Sequence, residues 1–301
     1  MTTIKRMTRR EALKNLGLLA SGAFILGTSN VLTSCTNDNG KKRIVFYFTG
    51  SGNSLYVAKH LSAQPLSIPQ VLQGDQLEFE ADEIGLVFPD YQGKAPSIVQ
   101  EFAQKVKLKA DYMFSVITYG LDNCLVTELW EEYAKQYGWH FNYINVVLMQ
   151  DVYLPMFNQD QQRTLYEQKD EEGQIARVVE DINTRREWIY EISPEAHQRG
   201  EMIMNMVSRN PIYPATSQAS FTIDRDLCVG CGTCVNVCPK KCYSFGSRGL
   251  VNIGDCTYCM ACANICPQKA IKLPREANAN ARYRHPKITL QEIVRANQQH
   301  G

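Results

Sequence analysis

Past its first forty residues, the chain opens its first sustained apolar run at Arg43-Ile44-Val45-Phe46-Tyr47-Phe48. The run breaks at Thr49-Gly50-Ser51-Gly52-Asn53-Ser54 and resumes as Leu55-Tyr56-Val57-Ala58-Lys59-His60-Leu61. A β-branched and aromatic stretch, a glycine break and an amphipathic restart predict strand, loop and helix. Similar apolar runs at 84–88, 112–117 and 141–148 read as parallel strands, with helix-like stretches at 95–107 and 124–137 between them. Alternation of this kind predicts an α/β domain with a doubly wound parallel sheet over residues 43–158. From 159 to 209 the chain turns to Gln, Glu, Arg and Lys, with Ile182, Ile189, Ile192, Ile203 and Val207 at roughly helical spacing. Two or three connecting helices are expected there, their stripe packed on a neighbouring domain. The stretch 212–220, with Pro214, Ser217 and Ser220, reads as a linker. Residues 275–301 are polar apart from a short helical run at 290–296, a tail that folds back or frays.

The break at 49–54 carries chemistry. Glycines let backbone N–H groups close around an anion, and the hydroxyls of Thr49, Ser51 and Ser54 add donors. The start of the following helix contributes a positive dipole. The spacing is neither G-x-x-x-x-G-K nor G-x-G-x-x-G, which favours a small monophosphate over a nucleoside triphosphate or a dinucleotide. In doubly wound sheets the ligand sits beyond the carboxyl ends of the strands, at the switch point. The loops that converge there are 49–54, Pro89-Asp90-Tyr91-Gln92-Gly93 and Thr118-Tyr119-Gly120. Tyr91 and Tyr119 could then touch a planar ring, and Gly93 and Gly120 admit its edge; the plainer alternative is ordinary turn residues and surface tyrosines. The loop resembles the T-G-T-G-N-T phosphate loop of flavodoxins. That resemblance implies a flavodoxin-like fold and FMN bound by Thr49, Gly50, Ser51, Gly52, Asn53 and Ser54, with Pro89, Tyr91, Gly93, Thr118, Tyr119 and Gly120 around the ring.

Near the C-terminus, Cys228, Cys231, Cys234 and Cys238-Pro239 follow the spacing C-x2-C-x2-C-x3-C-P, and Cys256, Cys259, Cys262 and Cys266-Pro267 repeat it 28 residues later. Short spacings let thiolates close on one 4Fe-4S cube, while the fourth Cys of each run reaches the other cube. The assignment is Cys228, Cys231, Cys234 and Cys266 to one cluster, and Cys256, Cys259, Cys262 and Cys238 to the second. Two zinc sites or a disulfide framework are the alternatives, but no His lies between 198 and 284. The repeat extends beyond the cysteines, Asn236 falling on Asn264 and Cys242 on Ala270. It predicts two pseudo-symmetric strand-loop-helix units that need each other and their clusters for a core. Residues 220–274 resemble bacterial two-cluster ferredoxins, which implies a small α+β module. The whole of 43–295, including Arg282-Tyr283-Arg284-His285-Pro286, resembles a family of bacterial flavodoxin-ferredoxin fusion proteins.

Residues 1–35 read as a targeting segment. Thr8-Arg9-Arg10-Glu11-Ala12-Leu13-Lys14 resembles a twin-arginine export signal, and Leu32-Thr33-Ser34-Cys35 a lipoprotein cleavage box that would lipidate Cys35. The apolar stretch between them is too short to span a bilayer as a stable helix. Export to an extracytoplasmic face of the cell envelope follows; the alternative is an amphipathic helix on a cytoplasmic protein. Of the eleven cysteines, eight ligands and the lipidated Cys35 leave only Cys124 and Cys242, so no disulfide framework is expected. Cys242 reads as a small buried packing residue; Cys124 either faces the flavin or is a small buried hydrophobe of the same kind. A net charge of +1, with no basic concentration outside the leader, gives nucleic acid no purchase.

Together these features predict an exported electron-transfer protein passing electrons between FMN and two 4Fe-4S clusters. Its partner would be a redox protein or a small electron acceptor, and a lipid anchor would hold it to the membrane. A flavin-dependent reductase of a quinone or nitro compound fed by the clusters is one alternative, and a redox-sensing or scaffold module another. No acid, base or nucleophile constellation points to a substrate.

Overall fold

In the computed structural model the described residues are 35–36, 40–209, 221–246, 249–252, 256–273 and 275–297. The expected export signal and the expected linker at 212–220 lie outside them, as does the side chain of Cys35.

The sheet is built from β1 (Cys35–Thr36), β2 (Lys42–Tyr47), β3 (Leu66–Ser67), β4 (Glu78–Pro89), β5 (Lys107–Tyr119), β6 (Tyr143–Leu148) and β7 (Trp188–Ile189). Six of these run parallel in the order β3-β2-β4-β5-β6-β7. β1 lies antiparallel to the start of β2, with Cys35 opposite Arg43. Helices α1 (Asn53–Leu61), α2 (Ile68–Val71), α3 (Ser97–Lys105), α4 (Val126–Lys135), α5 (Gln159–Tyr166) and α6 (Glu171–Asn183) connect the strands. Strands covered on both faces lose polar alternation. Val45, Phe46, Ile84, Leu86, Val87, Phe114, Val116 and Ile117 are accordingly all buried. The chain leaves β2 outward to β3 and then returns to β4 on the other side, so the switch point lies between β2 and β4.

At the amino ends of these strands, Glu83 is buried between Arg43 at 2.7 Å and Arg185 at 2.9 Å. Arg43 also donates to Asn183 Oδ1 at 3.0 Å. Two cations and a network of hydrogen bonds compensate the buried carboxylate. The arrangement ties β2 and β4 to the end of α6, leaving the opposite end of the sheet to the loops.

Residues 159–209 depart from the expected connector. They hold three helices, α5, α6 and α7 (Pro194–Arg209), but Ile175, Val178 and Ile182 of α6 are buried in the sheet core. Ile189 belongs to β7, paired with Ile144, rather than to a helical stripe. The expected boundary at 158 therefore falls inside the sheet unit.

The cysteine-rich part contains β8 (Thr222–Ile223), α8 (Thr233–Asn236), β9 (Tyr243–Gly246), β10 (Gly249–Asn252), α9 (Ala261–Ile265) and β11 (Ile271–Lys272). β8 pairs with β11 and β9 with β10, so each pair joins one repeat to the other. The backbone itself repeats: left-handed φ values recur at Gly230 (67°) and Tyr258 (57°), Gly232 (76°) and Met260 (57°), and Lys241 (51°) and Lys269 (53°). Beyond it the tail returns to the sheet unit through α10 (Leu290–Asn297), with Ile288, Ile293 and Val294 in the main core.

Candidate iron-sulfur site

The eight cysteines of the two runs form two neighbourhoods. Burial, then the thiols of Cys266, Cys231 and Cys228, push the Cys234 thiol up to about 12. Burial raises Cys262 as well, against a hydrogen bond with Tyr243, and its thiol neighbours are Cys259, Cys238 and Cys256. The fourth cysteine of each run thus sits with the first three of the other. Backbone amides point at the sulfurs in the same repeating manner: Cys242 N–H donates to Cys238 Sγ at 3.2 Å and Ala270 N–H to Cys266 Sγ at 3.3 Å. Tyr258 N–H donates to Cys256 Sγ at 3.2 Å, and the hydroxyl of Tyr243 lies 3.5 Å from Cys262 Sγ. Donors of this kind favour ionised sulfur. Cys242 is buried beside Cys238 and Cys256. Among the described residues, no three His, Cys, Asp or Glu side chains close on a single-ion site.

Residues 220–267 match the family of 4Fe-4S dicluster domains. No curated protein matches the chain. The ferredoxin-like domain and its clustered cysteines support iron-sulfur cluster binding and, with it, electron transfer.

The 4Fe-4S dicluster domain is seated on the glycine loop of the sheet unit. Gly50 is backed so closely by the Cys259 carbonyl that a Cβ there would collide with its oxygen. Thr257 and Ser97 share a hydroxyl hydrogen bond of 2.9 Å, and Asn264 Nδ2 donates to Val152 O at 3.3 Å. Lys240 pairs with Glu101 at 3.1 Å. The tail completes the seat: His285 N–H donates to Ser51 O at 2.9 Å, Tyr283 O–H to Asn53 Oδ1 at 2.9 Å, and Asn297 Nδ2 to Thr49 O at 3.1 Å. His285 is fully buried, stacked on Tyr56 with centroids 4.2 Å apart. Its Nδ1 accepts from Lys287 N–H, which leaves the proton on Nε2, 3.0 Å from Glu171 Oε1. Of these tail residues the sequence offered only Tyr-x-His-Pro, with no sign of what it would touch.

The three loops expected around FMN do converge. Ser54 and Thr118 share a hydroxyl hydrogen bond of 2.8 Å, and Asp90 N–H donates to Thr118 O at 2.8 Å. What they meet is protein. All of Thr49, Gly50, Ser51, Gly52, Asn53 and Ser54 are buried. Thr49 Oγ1 already accepts from Gly52 N–H at 3.0 Å, and Asn53 Nδ2 donates to Gln150 O at 3.0 Å. The glycines that would admit a cofactor face other side chains. A Cβ on Gly52 would stand 2.9 Å from His285 Cβ, one on Gly93 3.0 Å from both Cys124 Cβ and Met204 Sδ, and one on Gly120 would collide with Asp151. Tyr91 lies beside Cys259 and Cys256, with its ring 6.3 Å from Phe48, and Tyr119 neighbours Tyr190. Pro89 ends β4 opposite Thr118. These groups do not fit FMN: all six residues of the loop are buried within the chain, and the glycines that would admit the cofactor are in contact with protein. The sequence pattern is the same for a loop that binds phosphate and for one that receives a neighbouring backbone, because both need bare glycines.

Proposed function

We propose that the chain is a one-electron transfer protein holding two 4Fe-4S clusters. Cys228, Cys231, Cys234 and Cys266 would hold one cube, and Cys256, Cys259, Cys262 and Cys238 the other. The observation that carries this reading is the crossed grouping of the thiols, in which Cys234 neighbours Cys266 and Cys262 neighbours Cys238. Cubes bound there would each take up and release one electron. The surrounding residues do the rest: amides of Cys242, Ala270 and Tyr258 donate to sulfur, and Tyr243, Leu250, Met260 and Ile271 exclude water. FMN is left out of this reading, since the loop that suggested it is filled by the chain itself.

The partner is a redox protein or a small electron acceptor. The location we infer is an extracytoplasmic face of the cell envelope, with Cys35 as the lipid anchor. Its support is the order of twin arginines, apolar stretch and cleavage box in residues 1–35. Purification under argon, with iron and sulfide counted per chain, tests the cluster reading: about eight irons are expected for two cubes. Stoichiometric zinc would overturn it.

A further inference from the structure

The two cysteine runs share a backbone and differ in what covers it. In the second run the left-handed positions carry side chains: Tyr258 packs on Phe221 at 5.2 Å between ring centroids, and Met260 is buried. In the first run the same positions are glycines. Among the described residues, a Cβ on Gly230 would meet nothing within 4 Å, and one on Gly232 only the Phe245 ring at 3.9 Å. Neighbouring positions follow suit. Thr257 and Asn264 bond to the sheet unit and the tail, whereas Val229 and Asn236, their counterparts, are half-buried. Of the group Cys228, Cys231, Cys234 and Cys266, all but Cys234 are half-buried; of the other group, only Cys256 is. Phe245, beside the bare loop, is 53% exposed.

Resting on the cluster reading above, we propose that electrons enter and leave through the group Cys228, Cys231, Cys234 and Cys266. The group on Gly50 then exchanges with the outside only through it. The occupant of the port is a one-electron redox protein that lays an apolar surface on Phe245 and the loop 229–232. Each exchange moves one electron: the partner's centre loses it, the outer cube gains it, and no bond or proton changes hands. Tunnelling falls steeply with distance, so a loop without side chains favours close approach, and an apolar ring at its rim favours docking.

The test begins with holoprotein whose iron count already satisfies the cluster reading, so that failure of one is separable from failure of the other. Cys231→Ser and Cys259→Ser assign the two reduced-cluster signals by electron paramagnetic resonance. A gadolinium chelate in solution should broaden the signal lost in Cys231→Ser more than the other; equal broadening, or the reverse, overturns the proposal. Gly230→Tyr then covers the port, in a conformation that Tyr258 already adopts. Reduction by a viologen linked to dextran should slow roughly tenfold, within the span over which docking variants change association. Reduction by free viologen should not change. If both donors slow equally, or neither does, the port is elsewhere.

Discussion

Gly50 and Cys259 meet backbone to backbone, the glycine Cα against the cysteine carbonyl, with no space between them for a side chain. One belongs to the loop after β2 and the other to the inner cysteine group, so this contact joins the two units backbone to backbone.

Adding one methyl group there should separate or strain them. Gly50→Ala is expected to cost about 1–3 kcal/mol, the usual range for overpacking a close-fitted site. Gly74→Ala, whose Cβ would make only an ordinary 3.7 Å contact with Val71 O, should stay within about 0.5 kcal/mol of the native chain. Urea unfolding under argon measures both.

The hydroxyl of Tyr243 beside Cys262 Sγ should tune the inner cube. A donor to sulfur stabilises the more negative, reduced state, so Tyr243→Phe should lower that potential. A hydrogen bond of about 1 kcal/mol corresponds to roughly 40 mV for one electron. Potentiometric titration followed by electron paramagnetic resonance should show the drop in one cluster and not in the other.

Flavin should be absent from the purified chain. Ser51→Asp, which would repel a phosphate, should leave cofactor content unchanged. Chromatography of the supernatant after denaturation measures any FMN released, and one FMN per chain would require the loop to open away from His285 and Cys259.

The last helix is held by a reciprocal cap. Thr289 N–H donates to Glu292 Oε2 at 2.7 Å, and Glu292 N–H to Thr289 Oγ1 at 3.2 Å. Thr289→Ala should cost about 1 kcal/mol. Burial opposes the charge on Glu292, yet hydrogen bonds from Lys59 and Thr289 outweigh it and hold the carboxyl down at about 2, below its ordinary 4.5. A depressed carboxyl stabilises the fold above its unfolded value and loses that contribution as pH falls toward the folded one. The difference between native chain and Glu292→Gln should therefore be flat from pH 6 to 8 and shrink below about 4.5. It should stay under roughly 1 kcal/mol, because the pair is partly exposed and screened by solvent. Thermal melts followed by circular dichroism read both changes.

The sheet was legible where its strands are buried on both faces, as at 43–48 and 84–88, since continuous apolar runs have few other uses. Its extensions were not. Residues 78–82 of β4 and 107–111 of β5 alternate acidic or basic with apolar residues, and the exposed pairs Glu78–Lys107 and Glu80–Lys109 cross the ladder. β7 escaped notice because two residues, Trp188 and Ile189, carry no period of their own. The cysteine groups were legible in full spacing, since a cube admits few ligand patterns. The role of the glycine loop was not, because bare glycines specify close approach without saying by what. His285 and Asn297 illustrate the same gap from the other side, polar residues whose partners lie far off in the chain.

Asn297 reaches Thr49 across 248 residues, and Tyr283 reaches Asn53 across 230. Such contacts close only after residues 283–297 have left the ribosome, and their long loops make them slow to form. The strand-loop-helix unit at 42–61 thus waits for the segment 283–297 before its polar groups are satisfied. Termination near residue 280 would leave the sheet unit without the donors of Asn297 and His285 to the carbonyls of Thr49 and Ser51, and the aromatic face of Tyr56 uncovered. Quality control could recognise such a chain as unfinished, however well its central strands had paired.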